Sequence, residues 1–67
     1  MSEYVRIYIA PGMYAVDNLT IAPPDGWVPS ETGYCANDPA AFIALVLLLA
    51  HYDVFYTTLP HPLFRAS

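Results

Sequence analysis

The apolar positions of this 67-residue chain change rhythm along its length, and each change marks an element. Tyr4-Val5-Arg6-Ile7-Tyr8-Ile9 alternates, with Val5, Ile7 and Ile9 on one side and Tyr4, Arg6 and Tyr8 on the other. That is the period-two pattern of a strand with one buried face. Pro11-Gly12 follows, the pair that a type II turn takes at its two centres. Met13–Val16 and Leu19–Ala22 then read as two more short strands, with Asp17-Asn18 as a turn between them. Residues 3–22 are therefore predicted to form a β-hairpin region of two or three antiparallel strands.

Between 23 and 38 the alternation stops. Pro23-Pro24-Asp25-Gly26-Trp27 and Pro29-Ser30-Glu31-Thr32-Gly33 remove ladder donors and punctuate the backbone, so this stretch is predicted as a loop. A loop of that length seldom lies free on a compact domain, and Trp27 and Tyr34 are predicted to pin it to the fold.

The run Pro39–Ala50 then carries twelve residues without a polar side chain. Asp38 is the predicted N-cap and Pro39 the first helical residue, where its missing N–H costs nothing. The helix is predicted over 39–52. It would be roughly 18 Å long over the apolar run, against a hydrocarbon core of ~30 Å. A helix on a soluble domain normally keeps one polar side, and this one has none. It needs cover nearly all round. Residues 53–58, rich in β-branched and aromatic side chains, are predicted as a strand. The alternate prolines of 59–67 predict an extended tail, with Leu63 and Phe64 packing back on the sheet.

The predicted fold is thus α+β and a single small domain over 1–67. One hydrophobic helix lies on a small antiparallel sheet of three to four short strands, in the order β-β-(β)-loop-α-β.

Composition narrows the function more than it names it. Apolar residues make up 57 % and charged residues 12 %, about half the usual charged share. With a domain this small burying only about 60 % of its unfolded surface, such a composition predicts self-association or a standing protein partner. The net charge is −4, with two arginines and no lysine. Phosphates cannot be neutralised by that set, so nucleic-acid binding is excluded, and attachment to anionic lipid with it. Four carboxylates (Asp17, Asp25, Glu31, Asp38) are too thinly spread for a mimic of nucleic-acid phosphate and read as solvated loop charges.

Candidate chemistry is confined to Cys35, His51, Asp53 and His61. One cysteine cannot form an internal disulfide, and no zinc-ligand spacing is present. His51 and Asp53 would point about 200° apart on a helix, so they would not share an ion there, whereas on a strand they would share a face and could. A Cys35–His51 pair would require the loop to fold over the helix end. No catalytic, cofactor or metal site is predicted. His51 reads instead as a cation-capable group at the helix C-terminus.

The predicted interaction residues are aromatic and leucine side chains: Tyr4, Tyr8, Trp27, Phe42, Leu45, Leu48 and Leu49. Tyrosine and tryptophan offer area with a polar tip at low entropic cost. The expected function is a small, acidic, non-enzymatic protein-binding module of the cytoplasm, without cofactors, that occupies a surface of a larger protein. A phage-encoded inhibitor of a host system would be one concrete form. The alternative is a minor subunit of a membrane complex, with residues 39–59 as one membrane helix. His51 and Asp53 inside the span count against it.

Overall fold

The computed structural model describes residues 4–31 and 33–61. Their order is β1 (Val5–Ala10), β2 (Met13–Asp17), β3 (Val28–Pro29), β4 (Gly33–Ala36), α1 (Pro39–His51) and β5 (Tyr56–Pro60). The architecture is α+β: one helix packed on a five-stranded sheet in the order β3-β4-β2-β1-β5.

The β1–β2 hairpin forms as the alternation predicts. Ala10 pairs with Met13, leaving Pro11 and Gly12 as the turn, and Gly12 takes the positive φ of 68° that a side chain would resist. Val5 and Ile7 on β1 and Val16 on β2 are buried on the face that α1 covers.

Several predictions are corrected. The third strand over Leu19–Ala22 does not form. Asn18 turns into the left-handed region at φ 64° and donates from Nδ2 to the Tyr4 carbonyl, which carries the chain out of the ladder. Leu19 and Ile21 still pack on the core as half-buried side chains of an irregular segment. In the predicted loop two further strands form instead. Val28-Pro29 and Gly33–Ala36 make a hairpin in which the backbones of Ser30 and Gly33 exchange two hydrogen bonds. β4 also pairs with β2.

Another correction concerns direction. β1 runs antiparallel to β2 and β2 antiparallel to β4, so β4 and β1 point the same way. β5 pairs parallel with β1, which makes the sheet mixed rather than antiparallel. The cause is α1. A 13-residue helix leaving β4 spans about 20 Å. It carries the chain back past β2 and β1 to the end of the sheet where β1 starts, and a strand begun there must run parallel.

The helix start is the predicted one. Asp38 is the N-cap, in extended geometry, and its carboxylate accepts from the Ala40 N–H at 3.1 Å, with Pro39 at the first helical position. The end is a Schellman motif. Asp53 stands at φ 58°, its N–H donates to the Ala50 carbonyl, and the Val54 N–H donates to the Leu49 carbonyl. Because this motif occupies residues 52–55, β5 begins at Tyr56 rather than at 53. The helix does not run over 39–59: it ends at His51, and residues 56–60 are strand. No helix of the described residues is long and apolar enough to cross a membrane. Packing of Leu63 and Phe64 lies outside the described residues.

The helix–sheet interface is filled by Ala41, Leu45 and Leu49 from α1 against Val5, Ile7, Val16 and Ala36, with Trp27 buried beside them. Trp27 pins the Pro/Gly segment as predicted, its Nε1–H donating to the Ala41 carbonyl at 2.9 Å. Tyr34 packs against the same cluster.

Candidate binding surfaces

A two-layer molecule has two outer faces, and here both carry exposed apolar side chains. The first belongs to α1. Ala41, Leu45 and Leu49 turn one stripe into the core. At 100° per residue, the positions opposite them are Ala40, Ile43, Leu47 and Ala50. All four are exposed, Ile43 by 56 % and Leu47 by 65 %. No polar side chain interrupts this stripe.

The second is the sheet face away from α1, which no described element covers. Strand register aligns one row across all five strands: Val28 beside Cys35, Cys35 beside Ala15, Ala15 beside Tyr8, Tyr8 beside Leu59. An open depression of about 830 Å³ lies over part of this face, lined by Met13, Ala15, Val28 and Cys35, with Glu31 and His61 also on its wall. Val28, Met13 and Leu59 are exposed there.

Arg6 and Asp17 neutralise each other on that face. Arg6 Nε donates to Asp17 Oδ1 at 3.1 Å, and the Tyr8 hydroxyl donates to Asp17 Oδ2 at 3.3 Å. Arg6 and Asp17 stand directly opposite in the β1–β2 register. The hydrogen bond to Asp17, and then its charge, raise the Arg6 pKa above its ordinary value, so the guanidinium keeps its proton.

A third apolar cluster sits where α1 hands over to β5. Tyr4, Phe55 and Tyr56 are exposed together around a shallow recess, and Tyr52 is exposed one turn back. The Val5 N–H donates to the Phe55 carbonyl and holds this corner to β1.

The predicted interaction residues divide on these surfaces. Tyr4 is exposed, and Tyr8 is half-buried on the open sheet face. Phe42 and Leu48 are half-buried on the flanks of α1, and Phe42 stacks on Tyr14 with ring centroids 5.0 Å apart. Trp27, Leu45 and Leu49 are buried in the chain's own core and present nothing to a partner. The apolar run of α1 gave no means to tell the inward stripe from the outward one, so the sequence did not place Ile43 and Leu47 on the exposed side. Burial of Trp27 follows from its hydrogen bond to α1, a contact 14 residues away in sequence.

The four chemistry-bearing residues are dispersed. Cys35 is half-buried on β4, His51 closes α1 with its ring edge-on to Tyr52, Asp53 forms the left-handed cap, and His61 follows β5. Among the described residues no three of His, Cys, Asp and Glu come together as metal ligands would. No family model matches the chain, and no curated protein or solved structure is significantly similar to it.

Proposed function

We propose that this chain is a small non-enzymatic binding module that occupies a surface of a larger protein and also associates with itself. One observation carries the reading: a single helix on a single sheet leaves large apolar side chains in water on both outer faces. Patches of that kind on a small protein mark interaction sites. The sheet face suits a larger partner. It is broad, its Arg6–Asp17 ion pair is already satisfied, and Met13, Ala15, Val28 and Cys35 line a depression that a partner's apolar side chain can enter. An inhibitor that blocks a host protein is one form of such a module. We assign it to the cytoplasm, where a lone half-buried thiol stays reduced.

The test is photo-crosslinking in cells of the native host. A benzophenone side chain is installed at Val28 and, in a control protein, at exposed Asp25. The expected result is one heavier adduct, containing a second protein, from position 28 and not from position 25. Recovery of the uncrosslinked chain alone at both positions would overturn the reading.

A further inference from the structure

β5 is an edge of the sheet, with β1 as its one neighbour in the strand order. Its register shows which of its backbone groups are used. The Val5 N–H donates to the Phe55 carbonyl and the His61 N–H to the Ile9 carbonyl, at the two ends of a parallel ladder that sets Val5 beside Tyr56 and Ile9 beside Pro60. In such a ladder alternate residues bond the neighbour. Thr57 and Leu59 therefore bond β1, while the N–H and C=O groups of Tyr56 and Thr58 point away from it. The opposite edge offers less, since β3 has two residues and Pro29 has no N–H.

Folded proteins blunt such an edge with lysine or other charges, with proline, or with a bulge. Residues 56–59 carry none of these. Positions 54–64 hold no Asp, Glu, Lys or Arg, the register with β1 runs unbroken from Val5 to Ile9, and proline enters only at position 60. Two shallow recesses flank the strand, one lined by Tyr4, Phe55, Tyr56 and Thr57 and the other by Ile9, Thr58, Leu59 and Pro60. Outward backbone groups in a row, with recesses for side chains beside them, are what strand addition uses.

We infer that a second copy of this chain adds its own β5 antiparallel to this edge, joining the two sheets across a two-fold axis at Thr57. Pro60 selects the register. With Thr57 opposite Thr57, Tyr56 of each copy faces Thr58 of the other, and every outward N–H finds a carbonyl. Moving the axis to Thr58 would set Tyr56 opposite Pro60, which has no N–H, and leave both Tyr56 carbonyls unbonded. The Thr57 register also sets Phe55, 76 % exposed, opposite Leu59 of the second copy, so an apolar pair closes each end of the seam. The edge is complementary to itself: residue i of one copy meets j of the other and j meets i. A seam this short gives a weak dimer, with a dissociation constant of roughly 10 μM to 1 mM. This inference rests on the self-association half of the proposed function and is silent on the larger partner.

Sedimentation of the full chain from about 5 μM to 2 mM tests it. Monomer should give way to dimer across that range. Replacing the Thr58 N–H by N–CH3 in a chemically synthesised chain removes two of the bonds between copies and should shift the midpoint upward by about tenfold or more. Thr58→Pro should do the same, because proline is tolerated at an edge where the N–H faces solvent. Neither change touches a bond to β1, so the circular dichroism and melting temperature of the dilute variants should match the parent. Methylating the Thr57 nitrogen, whose N–H bonds β1, should instead lower the melting temperature. Register is read by oxidation in a Cys35→Ser background: Thr57→Cys should form a disulfide-linked dimer much faster than Thr58→Cys, since only the two Thr57 positions face each other. A chain monomeric at about 2 mM, a dimer indifferent to both Thr58 changes, or faster linkage through Thr58→Cys would each overturn the inference. Failure of the larger-partner reading is distinguishable. The adduct from Val28 would then be missing even where the dimer forms, and it should persist in Thr58→Pro if only the dimer inference is at fault.

Discussion

Leu47 and Leu49 are the same residue two positions apart in one helix, and the fold gives them opposite roles. Leu49 is fully buried against the sheet, whereas Leu47 is 65 % exposed. Leu49→Ala should cost about 2–5 kcal/mol, from lost transfer energy and the cavity left behind. Leu47→Ala should stay within about 0.5 kcal/mol in the monomer. Urea titration at low protein concentration measures both, and equal effects would mean that the buried stripe is misplaced. Asp53 gives a prediction of the other sign. It holds a left-handed conformation and puts a negative charge at the negative end of the helix. Asp53→Gly should stabilise by about 1 kcal/mol, read as a higher urea midpoint. Gly33 runs the other way, since a Cβ there would collide with the Val16 carbonyl oxygen. Gly33→Ala should lower the melting temperature by several degrees, and an unchanged melt would show that β4 does not lie so close to β2. At this scale the sequence disclosed chemistry but not exposure. Asp38 was legible as a cap because capping needs only the next few residues, whereas Leu47 and Leu49 look alike until something packs on one of them.

Elements follow the same division. The start of α1 is local: the Asp38 carboxylate bonds the Ala40 N–H, and Pro39 fits the first turn. Asp38→Ala should therefore cost about 1 kcal/mol of stability, and retained stability would mean that water or another group caps the amides equally well. Circular dichroism with urea titration decides it. β1 was legible from alternation and the β1–β2 turn from Pro11-Gly12. β3 and β4 were not, because strands of two and four residues carry too few positions to show a period, and Pro29 and Gly33 argued against them. What makes them strands is the neighbour: β4 pairs with β2 through Val16–Tyr34 and Tyr14–Ala36, and β3 pairs with β4 at the sheet edge, where proline is tolerated. Leu19–Ala22 shows the converse. Its alternation is real and buries Leu19 and Ile21 in part, yet Asn18 has already turned the backbone away from β2.

For the whole molecule, the sheet order makes β1 and β2 central and leaves β3 and β5 at the edges. Native-state hydrogen exchange should rank the amides accordingly. Ladder amides of β1 and β2 around Ile7 and Val16 should exchange most slowly and those of β3 fastest, because an edge pair of two residues opens without disturbing the core. Slow exchange in β3 would contradict the order. The same layering decides which surfaces stay open. One helix can cover one side of a sheet, so the far side, with its row from Val28 to Leu59, and the back of the helix stay uncovered among the described residues. The sequence by itself determined that a capped, wholly apolar helix follows a β-hairpin and that charged residues are few. Those conclusions rest on local backbone chemistry and on composition, which need no knowledge of what touches what. Only the tertiary structure decided that β5 runs parallel to β1, that Trp27, Leu45 and Leu49 are spent on the core, and that Ile43 and Leu47 face outward. A helix apolar all round has no preferred face until a sheet takes one, and the face left over is settled by that packing alone.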